Sequence, residues 1–245
     1  VPAATERNRQ AMAPFKKFRK RSRLRYARYV LFGLLALPYP LTLVYTVVPP
    51  PETTMMLWKR FEGNAIEYRW RPLADTSQNL VRSVVTAEDA RICEHAGIDW
   101  VVFRTVAMEA LENEDGPSRG GSTITQQVAK NLFLWPSRSY VRKALELPLA
   151  LWIDFIWSKR RIVEVYINTA EWAPGVYGAE AAAQYHFRKS GKALTKGQAA
   201  QLAAALPNPA VRNAGKPGPK VRKQARTIRR RVTSTMPYLD CLRLR

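Results

Sequence analysis

Two adjacent carboxylates near the middle of the chain have the residue types that general acid–base chemistry requires. Glu88 and Asp89 directly follow the apolar segment 84–87, and His95 lies a few residues further on. A carboxylate at the mouth of a cleft, partly removed from water, has its pKa raised and can act as a general base. The competing interpretation is a helix end with solvated acids, and a single histidine is more often structural than catalytic. Glu88 and Asp89 alone therefore do not predict a catalytic role, which depends on the residues around them.

A second polar stretch begins at a pair of glycines, Gly120 and Gly121. The glycines permit positive φ and the close approach of a ligand, and Ser122 or Thr123 can N-cap the helix that follows. The alternative is an ordinary capped surface helix. One arc of the predicted helix carries polar groups that can hold sugar hydroxyls and phosphate oxygens, namely Thr123, Gln126, Gln127 and Lys130.

Cations and one acid follow this helix. Arg142 and Glu146 are four residues apart with Lys143 beside them, and on an exposed helix face such a pair contributes only about 0.2–0.5 kcal/mol. The functional interpretation places Lys130 and Arg138 with them around a pyrophosphate. Clustered cations would favour the departure of that anion, and Glu146 would orient or moderate their charge.

The elements that must position these groups are mainly helical. Strand signals are nearly absent and no internal repeat occurs, so a mainly α domain is expected, preceded by an irregular or partly extended connector over residues 52–78. Pro148 falls inside one predicted helix, where it predicts a kink or an early stop. Helices are predicted over residues 79–90, 99–114, 122–132, 139–157, 159–169, 178–188, 195–205 and 219–235.

The amino-terminal region predicts a membrane anchor. Residues 1–28 are polar and basic, and residues 29–48 form an uncharged run that, as a helix, would span roughly 30 Å of hydrocarbon. The positive-inside rule then puts the amino end in the cytoplasm and the rest across the membrane. A cleaved signal peptide and a buried core helix are the alternatives. The predicted divisions are 1–28 basic tail, 29–48 transmembrane helix, 49–78 connector, 79–212 catalytic domain and 213–245 basic carboxyl-terminal helix or tail.

The composition of the chain limits the kinds of partner and of site that are expected. Lys and Arg number 40 against 19 Asp and Glu, for a net charge of +21, which favours an anionic partner such as nucleic acid, acidic lipid or a phosphorylated substrate. Cys93 and Cys241 can form at most one disulfide and leave the redox compartment open. A thiol metal site is not expected, because the sequence has no Cys-x-x-Cys and only two histidines.

Taken together and in order, these segments resemble the peptidoglycan glycosyltransferases, the family that includes the amino-terminal domain of class A penicillin-binding proteins and the monofunctional biosynthetic transglycosylases. The resemblance covers residues 50–212, and the lack of a following transpeptidase domain predicts the monofunctional type. Its motifs are Glu-Asp-x-x-Phe-x-x-His-x-Gly at 88–97, Gly-Gly-Ser-Thr-Ile-Thr-Gln-Gln at 120–127, Arg-Lys-x-x-Glu at 142–146, Lys-x-x-Ile-Leu-Glu-x-Tyr-Leu-Asn at 159–168, and a weaker one on Gly175, Gly178, Ala182 and Ala183.

The resemblance implies a lysozyme-like domain that polymerises glycan from lipid II on the outer face of the bacterial cytoplasmic (inner) membrane. It implies that Glu88 is the general base that deprotonates the acceptor 4-hydroxyl for inverting attack on the donor. It makes Glu146 a second acidic residue near the donor pyrophosphate. The residues it assigns to substrate binding are Asp89, Ser122, Thr123, Gln126, Gln127, Lys130, Arg138, Arg142 and Lys143.

The resemblance also implies cofactors and partners. A divalent cation, Mg or Mn, at the pyrophosphate is plausible for the family, although the sequence shows no dedicated metal cage, and no organic cofactor is expected. The implied partners are lipid II, the growing glycan chain, membrane lipids and proteins of cell-wall synthesis, and nucleic acid is not among them.

The chain departs from the family pattern at three places, and two other functions compete with the resemblance. Ile92 replaces a motif phenylalanine, His186 begins a His-Phe-Arg sequence where Tyr-Phe-Gly is usual, and Pro148 follows Glu146. A lysozyme-like hydrolase or lytic transglycosylase would also use an acid on a helical domain, but it does not require cations such as Lys130 and Arg138. A non-enzymatic basic membrane protein that binds nucleic acid or anionic lipid is the other alternative.

Overall fold

A computed structural model describes residues 13–112, 120–137 and 139–244, with the side chains of 13–24 and 110 left aside. Arg138, one of the predicted site residues, lies outside the described residues, as do residues 113 and 114 of a predicted helix. The chain divides into two compact units, one ending at Thr42 and the other Leu43–Arg245.

The first unit is a helical stretch built from α1 (Ala13–Ala36) and the start of α2 (Pro38–Tyr45). Between them, Leu37 still donates its backbone N–H to Gly33 O at 2.9 Å, so the hydrogen-bond ladder continues up to the proline. Exposed apolar side chains cover this stretch, with Phe32 73% accessible. Among the described residues, Arg25–Tyr45 is the one helical segment long and apolar enough to cross a membrane.

The second unit is mainly helical, as predicted. The order of helices after residue 79 follows the prediction, and the ends differ by a residue or two, which is the usual uncertainty of helix boundaries. In chain order its further helices are α3 (Thr54–Phe61), α4 (Gln78–Glu88), α5 (Trp100–Glu112), α6 (Ile124–Phe133), α7 (Tyr140–Ile156), α8 (Lys159–Thr169), α9 (Ala179–Phe187), α10 (Lys196–Ala205) and α11 (Pro219–Thr235).

The predicted irregular connector over residues 52–78 is partly wrong, because α3 lies within it. Thr53 caps this helix by accepting a hydrogen bond from Met56 N at 3.2 Å, and Met56 is fully buried. The side chain of Thr54 is tied to α6, since its hydroxyl donates to Leu134 O at 2.5 Å. A short α-helix with one buried face was overlooked because eight residues show little periodicity.

A small β-sheet is the second element that was not predicted from the sequence. Its strands β1 (Glu67–Tyr68), β2 (Glu171–Ala173) and β3 (Val176–Tyr177) lie in the order β1-β3-β2, with β1 parallel and β2 antiparallel to β3. Strands of two or three residues are too short for alternation to be recognised. Gly175 has φ +76°, and a Cβ there would lie 2.4 Å from Ala65 O, so only glycine fits at this turn.

The helix that carries Glu88 and the helix that carries Lys130 pack against different neighbours. Helix α6 packs against both α7 and α8, while α4 packs against α10 and α11. The residues of α4 that face these neighbours are fully buried, among them Leu80, Val81 and Val84. Helix α4 ends at Glu88 and α6 begins after Thr123, and hydrogen bonds from Gln127 to Glu88 and from Ile124 N to Asp89 join these two polar segments of the sequence.

The carboxyl-terminal basic region is folded onto this core. Helix α11 buries Val221, Ala225 and Ile228 and leaves its cations outward. Beyond it, Cys241 forms a disulfide with Cys93 in the loop after α4, with the two Cα atoms 5.8 Å apart. The single disulfide that the sequence allowed is therefore formed, and it ties the end of the chain to the loop that follows Glu88.

The three departures from the family pattern are accommodated within the fold. Helix α7 continues through Pro148 to Ile156, so the expected early stop is wrong. Ile92 is fully buried. His186 lies between two backbone groups, with Nε2 3.2 Å from Trp172 O and Nδ1 accepting from Gly215 N at 3.2 Å. These contacts fix the histidine as a packing residue outside the site.

Candidate active site

Glu88 is the last residue of α4, and its carboxylate is held by a side chain from α6. Gln127 Nε2 donates to Glu88 Oε2 at 2.8 Å. Burial raises the pKa of Glu88 above its ordinary value, although the hydrogen bond from Gln127 and the charge of Lys130 act in the opposite direction. A carboxylate whose ionised form is poorly solvated accepts a proton more readily, which is the property that a general base requires.

Tyr166 on α8 orients the amide that contacts Glu88. Its hydroxyl donates to Gln127 Oε1 at 3.1 Å, so the amide nitrogen must point to the carboxylate. Burial raises the pKa of Tyr166 well above its ordinary value, which keeps the hydroxyl protonated and able to donate. The sequence analysis gave Tyr166 no role beyond its membership of the motif at 159–168. Its position four residues after Ile162, on a helix of the fourth motif, was the available signal.

Asp89 joins the loop after α4 to the start of α6. Its Oδ1 lies 2.9 Å from His95 Nε2, and its Oδ2 accepts from Ile124 N at 2.9 Å. Lys159 Nζ in turn donates to the backbone carbonyl of His95 at 2.6 Å. Both oxygens of Asp89 are thus engaged within the protein, and its predicted contact with substrate stays a prediction.

The helix start at Thr123 has the predicted cap. Thr123 Oγ1 accepts from Gln126 N at 3.2 Å while Thr123 N donates to Gln126 Oε1 at 2.9 Å, which is a capping box. Thr123 Oγ1 also donates to Gly97 O at 2.6 Å, and Gln126 is fully buried. The side chains of both residues are therefore used inside the fold, and their predicted role at the substrate stays a prediction.

The glycine pair does not use the positive φ that glycine permits. Gly120 and Gly121 are absent from the residues with positive φ, which are Gly63, Gly97, Gly175 and Gly178 among the described glycines. At Gly121 the reason for glycine is space, since a Cβ would lie 3.0 Å from Val106 Cγ2. At Gly120 no atom of the described residues, apart from the chain neighbours, lies within 4 Å of a Cβ position.

The predicted group of charged residues on α7 is assembled around a buried acid. Glu146 is 2% exposed; Arg142 Nη1 donates to its Oε1, and Lys143 Nζ donates to its Oε2 at 2.7 Å. Lys143 Nζ also donates to Ser122 Oγ at 2.6 Å. This last contact links the third motif to the second: two cations hold the Glu146 carboxylate, and one of them also binds the Ser122 hydroxyl.

Lys130 lies between this group and Glu88. Burial lowers the pKa of its ammonium, and the positive charges of Arg142 and Lys143 act in the same direction, whereas Glu146 and Glu88 oppose the shift. Lys130, Gln127 and Tyr166 line a cavity of about 200 Å³. A weakly solvated ammonium in such a cavity binds an anion more strongly than one in bulk water.

A second cavity, of about 150 Å³, lies along the other polar segments. Glu88, Asp89 and the stretch Gly120–Thr123 line it. Glu88 thus faces one cavity while its hydrogen-bond partner Gln127 lines the other. The arrangement can receive a hydroxyl near a base and an anionic group near a set of cations.

One cation that reaches Glu88 was not assigned to the site from the sequence. The positive charge of Arg212 lowers the pKa of Glu88 and so opposes the effect of burial. Arg212 Nη1 also donates to Ala204 O at the end of α10, at 3.0 Å. The sequence analysis placed Arg212 at the end of the predicted catalytic domain, 79–212, without a role in the site.

A helical domain with a desolvated carboxylate and facing cations defines an enzyme of the class that couples proton removal to departure of an anion. Comparison with known proteins agrees. The family described as Transglycosylase matches residues 55–236. The chain is 51% identical to the biosynthetic peptidoglycan transglycosylase of Rhodopseudomonas palustris (strain HaA2) over 212 residues, which is 86% of this chain and 92% of that relative. The chain therefore belongs to the transglycosylase family.

Further relatives carry the same description. The biosynthetic peptidoglycan transglycosylase of Nitrobacter winogradskyi is 53% identical over 202 residues, covering 82% of this chain and 88% of the relative. That of Rhizobium meliloti is 47% identical over 223 residues, covering 91% and 94%. The resemblance drawn from the motifs is thus confirmed over most of the chain.

Proposed function

We propose that this protein is a peptidoglycan glycosyltransferase that polymerises glycan chains in bacterial cell-wall synthesis, with lipid II as its substrate. The names of its relatives support glycan polymerisation. The observation that carries the proposal is the pairing of a partly buried Glu88, whose pKa is raised by desolvation, with the cations around Lys130 and Lys143. The base suits removal of the acceptor proton, and the cations suit the negative charge that develops on the leaving group.

In the proposed reaction Glu88 is the base. Its carboxylate takes the proton of the acceptor 4-hydroxyl as the oxygen attacks the anomeric carbon of the donor, with inversion. Gln127 holds the carboxylate in place, and Tyr166 holds Gln127, so the base is oriented before substrate arrives. Positioned acid–base groups of this kind contribute roughly 10²–10⁴-fold to rate.

The proposed leaving group is undecaprenyl pyrophosphate. As the glycosidic bond breaks, negative charge accumulates on its phosphate oxygens, and Lys130 and Lys143 supply N–H donors at that side of the site. Glu146 holds Arg142 and Lys143 in fixed positions through its two oxygens. In this proposal Glu146 is a positioning residue that sets the geometry of the cations, and Ser122 acts with it through Lys143.

A divalent cation, Mg or Mn, at the pyrophosphate belongs to the proposal only as an ion carried by the phosphates. Within residues 13–112, 120–137 and 139–244, no group of three His, Cys, Asp or Glu side chains is placed to hold a metal. Glu146 is already engaged by two cations. The residues present therefore do not fit a protein-bound metal centre, and no step of the proposed reaction passes through one.

The proposed location is the bacterial cytoplasmic (inner) membrane, with the amino end inside and the catalytic domain outside. Arg25–Tyr45 supports an anchor by length and composition, and the basic residues before it support the orientation. The Cys93–Cys241 disulfide gives independent support for the outer side, because disulfides persist in oxidising compartments. A reporter fused after Arg245 should be active only outside the cytoplasm; activity inside would contradict this topology.

Polymerisation of labelled lipid II tests the catalytic proposal. The full chain should form long glycan, and Glu88→Gln should lose about 10²–10⁴-fold in rate, while His186→Gln, outside the site, should retain activity. Glycan formation that survives in Glu88→Gln would refute the assignment of the base. Release of soluble fragments from finished peptidoglycan without consumption of lipid II would support a lytic enzyme instead.

A further inference from the structure

A third cavity lies away from the candidate active site, between α4, α10 and α11. Its volume is about 400 Å³, and its charged lining residues are Arg82, Lys196 and Arg229, one from each helix. None of the described residues that line it carries a carboxylate; hydroxyl and amide groups come from Ser83, Thr233 and Asn79. Three cations from three helices thus converge on one space with donors between them.

Among the described residues, the cations of this cavity have no carboxylate partner. Across the described part of the chain, neither Arg82, Lys196 nor Arg229 forms an ion pair with a carboxylate. The Nε atom of Arg82 is also buried and, among the described residues, has no hydrogen-bond partner. A buried N–H without an acceptor, beside two like charges, costs free energy that a bound anion would offset.

The type of anion follows from the donors and the volume. A guanidinium binds phosphate oxygens through parallel N–H donors, and an ammonium adds a point charge. A cavity of about 400 Å³ falls in the range of small-molecule sites and suits one head group or small phosphate ester. Apolar side chains from Val232 and Met236 complete the lining, so a ligand with an adjoining hydrocarbon part also fits.

We propose that this cavity binds a phosphate group, either the head group of an anionic phospholipid or a free phosphate ester. Arg82 lies six residues before Glu88 on the same helix, roughly 9 Å along the axis, so the site is separate from the cavities around Glu88 and Lys130. The proposal does not depend on the proposed reaction.

The test is binding of defined probes to the full chain in uncharged detergent micelles at about 0.15 M salt. The probes are inorganic phosphate, and dihexanoyl phosphatidylglycerol with dihexanoyl phosphatidylcholine as its zwitterionic comparison. Calorimetric titration measures affinity, and thermal unfolding measures the accompanying stabilisation. Arg229 is exposed on α11, so Arg229→Glu should fold normally. The matched control is Arg226→Glu, an exposed cation of the same helix that does not line the cavity.

We expect Arg229→Glu to weaken binding of the preferred probe at least tenfold and Arg226→Glu to change it less than twofold. Phosphate bound at Lys130 and Lys143 contributes the same signal in both variants, because neither substitution changes those two residues. Loss of phosphatidylglycerol binding alone would identify a lipid head group, and loss of inorganic phosphate binding would identify a free phosphate ligand. Equal weakening in both variants, or no saturable binding of any probe, would overturn the proposal.

A second substitution tests the buried part of the site. Arg82→Gln removes the unpartnered Nε–H and one charge, and its folding is checked by circular dichroism before titration. We expect the same loss of affinity as in Arg229→Glu. A folded Arg82→Gln that binds the preferred probe as tightly as the parent protein would exclude this cavity as the phosphate site.

Discussion

Gln127 Nε2 lies 2.8 Å from Glu88 Oε2 and joins the end of α4 to the first turns of α6. The contact is directional, because the other end of the amide accepts from Tyr166. It stabilises the ionised carboxylate, whereas burial disfavours it, and burial is the larger effect. The basicity of Glu88 is therefore set by a competition between desolvation and the groups that oppose it, of which the Gln127 amide is the largest and the charges of Lys130 and Arg212 are the others.

The first prediction concerns removal of that amide. Gln127→Leu should raise the pKa of Glu88 further, because the carboxylate loses its donor while its burial is kept. The acidic limb of the pH–rate profile for glycan polymerisation should then move to higher pH. Tyr166→Phe, which leaves the amide in place, should move it less. A limb that stays in place in Gln127→Leu would mean that Glu88 is not the titrating base.

The second prediction is a gain of stability on removing the catalytic charge. Since the pKa of Glu88 is raised in the folded state, ionisation favours unfolding, and this cost is present above the folded pKa and disappears below the unfolded pKa. Glu88→Gln should therefore unfold at a higher temperature than the parent protein near pH 8, and the difference should shrink as the pH falls towards 4. Thermal unfolding followed by circular dichroism over this range measures it. A constant difference at all pH values would contradict it.

The third prediction concerns the buried acid of the cation group. Glu146→Gln leaves Arg142 and Lys143 close together without their counter-charge, and breaking a buried pair in this way costs about 3–5 kcal/mol of unfolding free energy. Urea unfolding should show the loss. In the double variant Arg142→Gln/Glu146→Gln the loss should be smaller than the sum of the two single losses, because the unpaired guanidinium is gone. Additive losses would argue against the pair.

The sequence was sufficient for the parts of the fold that depend on long periodic segments and on motifs. The helices from Gln78 to Thr235 were predicted in order, and an N-cap was predicted at Ser122 or Thr123, of which the structure uses Thr123. It was insufficient where short elements are formed by tertiary contacts. Helix α3 and the sheet of β1, β2 and β3 are too short to show a period, and the sheet depends on Gly175 next to Ala65.

The candidate site was likewise predicted from the sequence only in part. The acid, the amides and the cations were identified from their spacing, and so was the pair of Arg142 and Glu146 within one helix, but contacts between different helices were not. Asp89 reaches the backbone of Ile124, and Lys143 reaches Ser122 across 21 residues of sequence. Such pairings depend on how helices dock, and spacing along one helix carries no information about them. Tyr166 was missed for this reason, since its importance arises from a residue 39 positions away.

The last prediction concerns the disulfide between the loop after Glu88 and the chain end. Cys93 and Cys241 are separated by 148 residues, and closing so long a loop in the unfolded chain is worth about 4–5 kcal/mol in the chain-entropy description. Cys93→Ser/Cys241→Ser should therefore lower the unfolding temperature by several degrees. Reductant should lower that of the parent protein to a similar value and leave the double variant unchanged. If reductant destabilised both proteins equally, the effect would not come from this bond.

Because Cys93 lies between Asp89 and His95, whose side chains contact each other, the loop that they brace should also become more open to hydrogen exchange in the double variant.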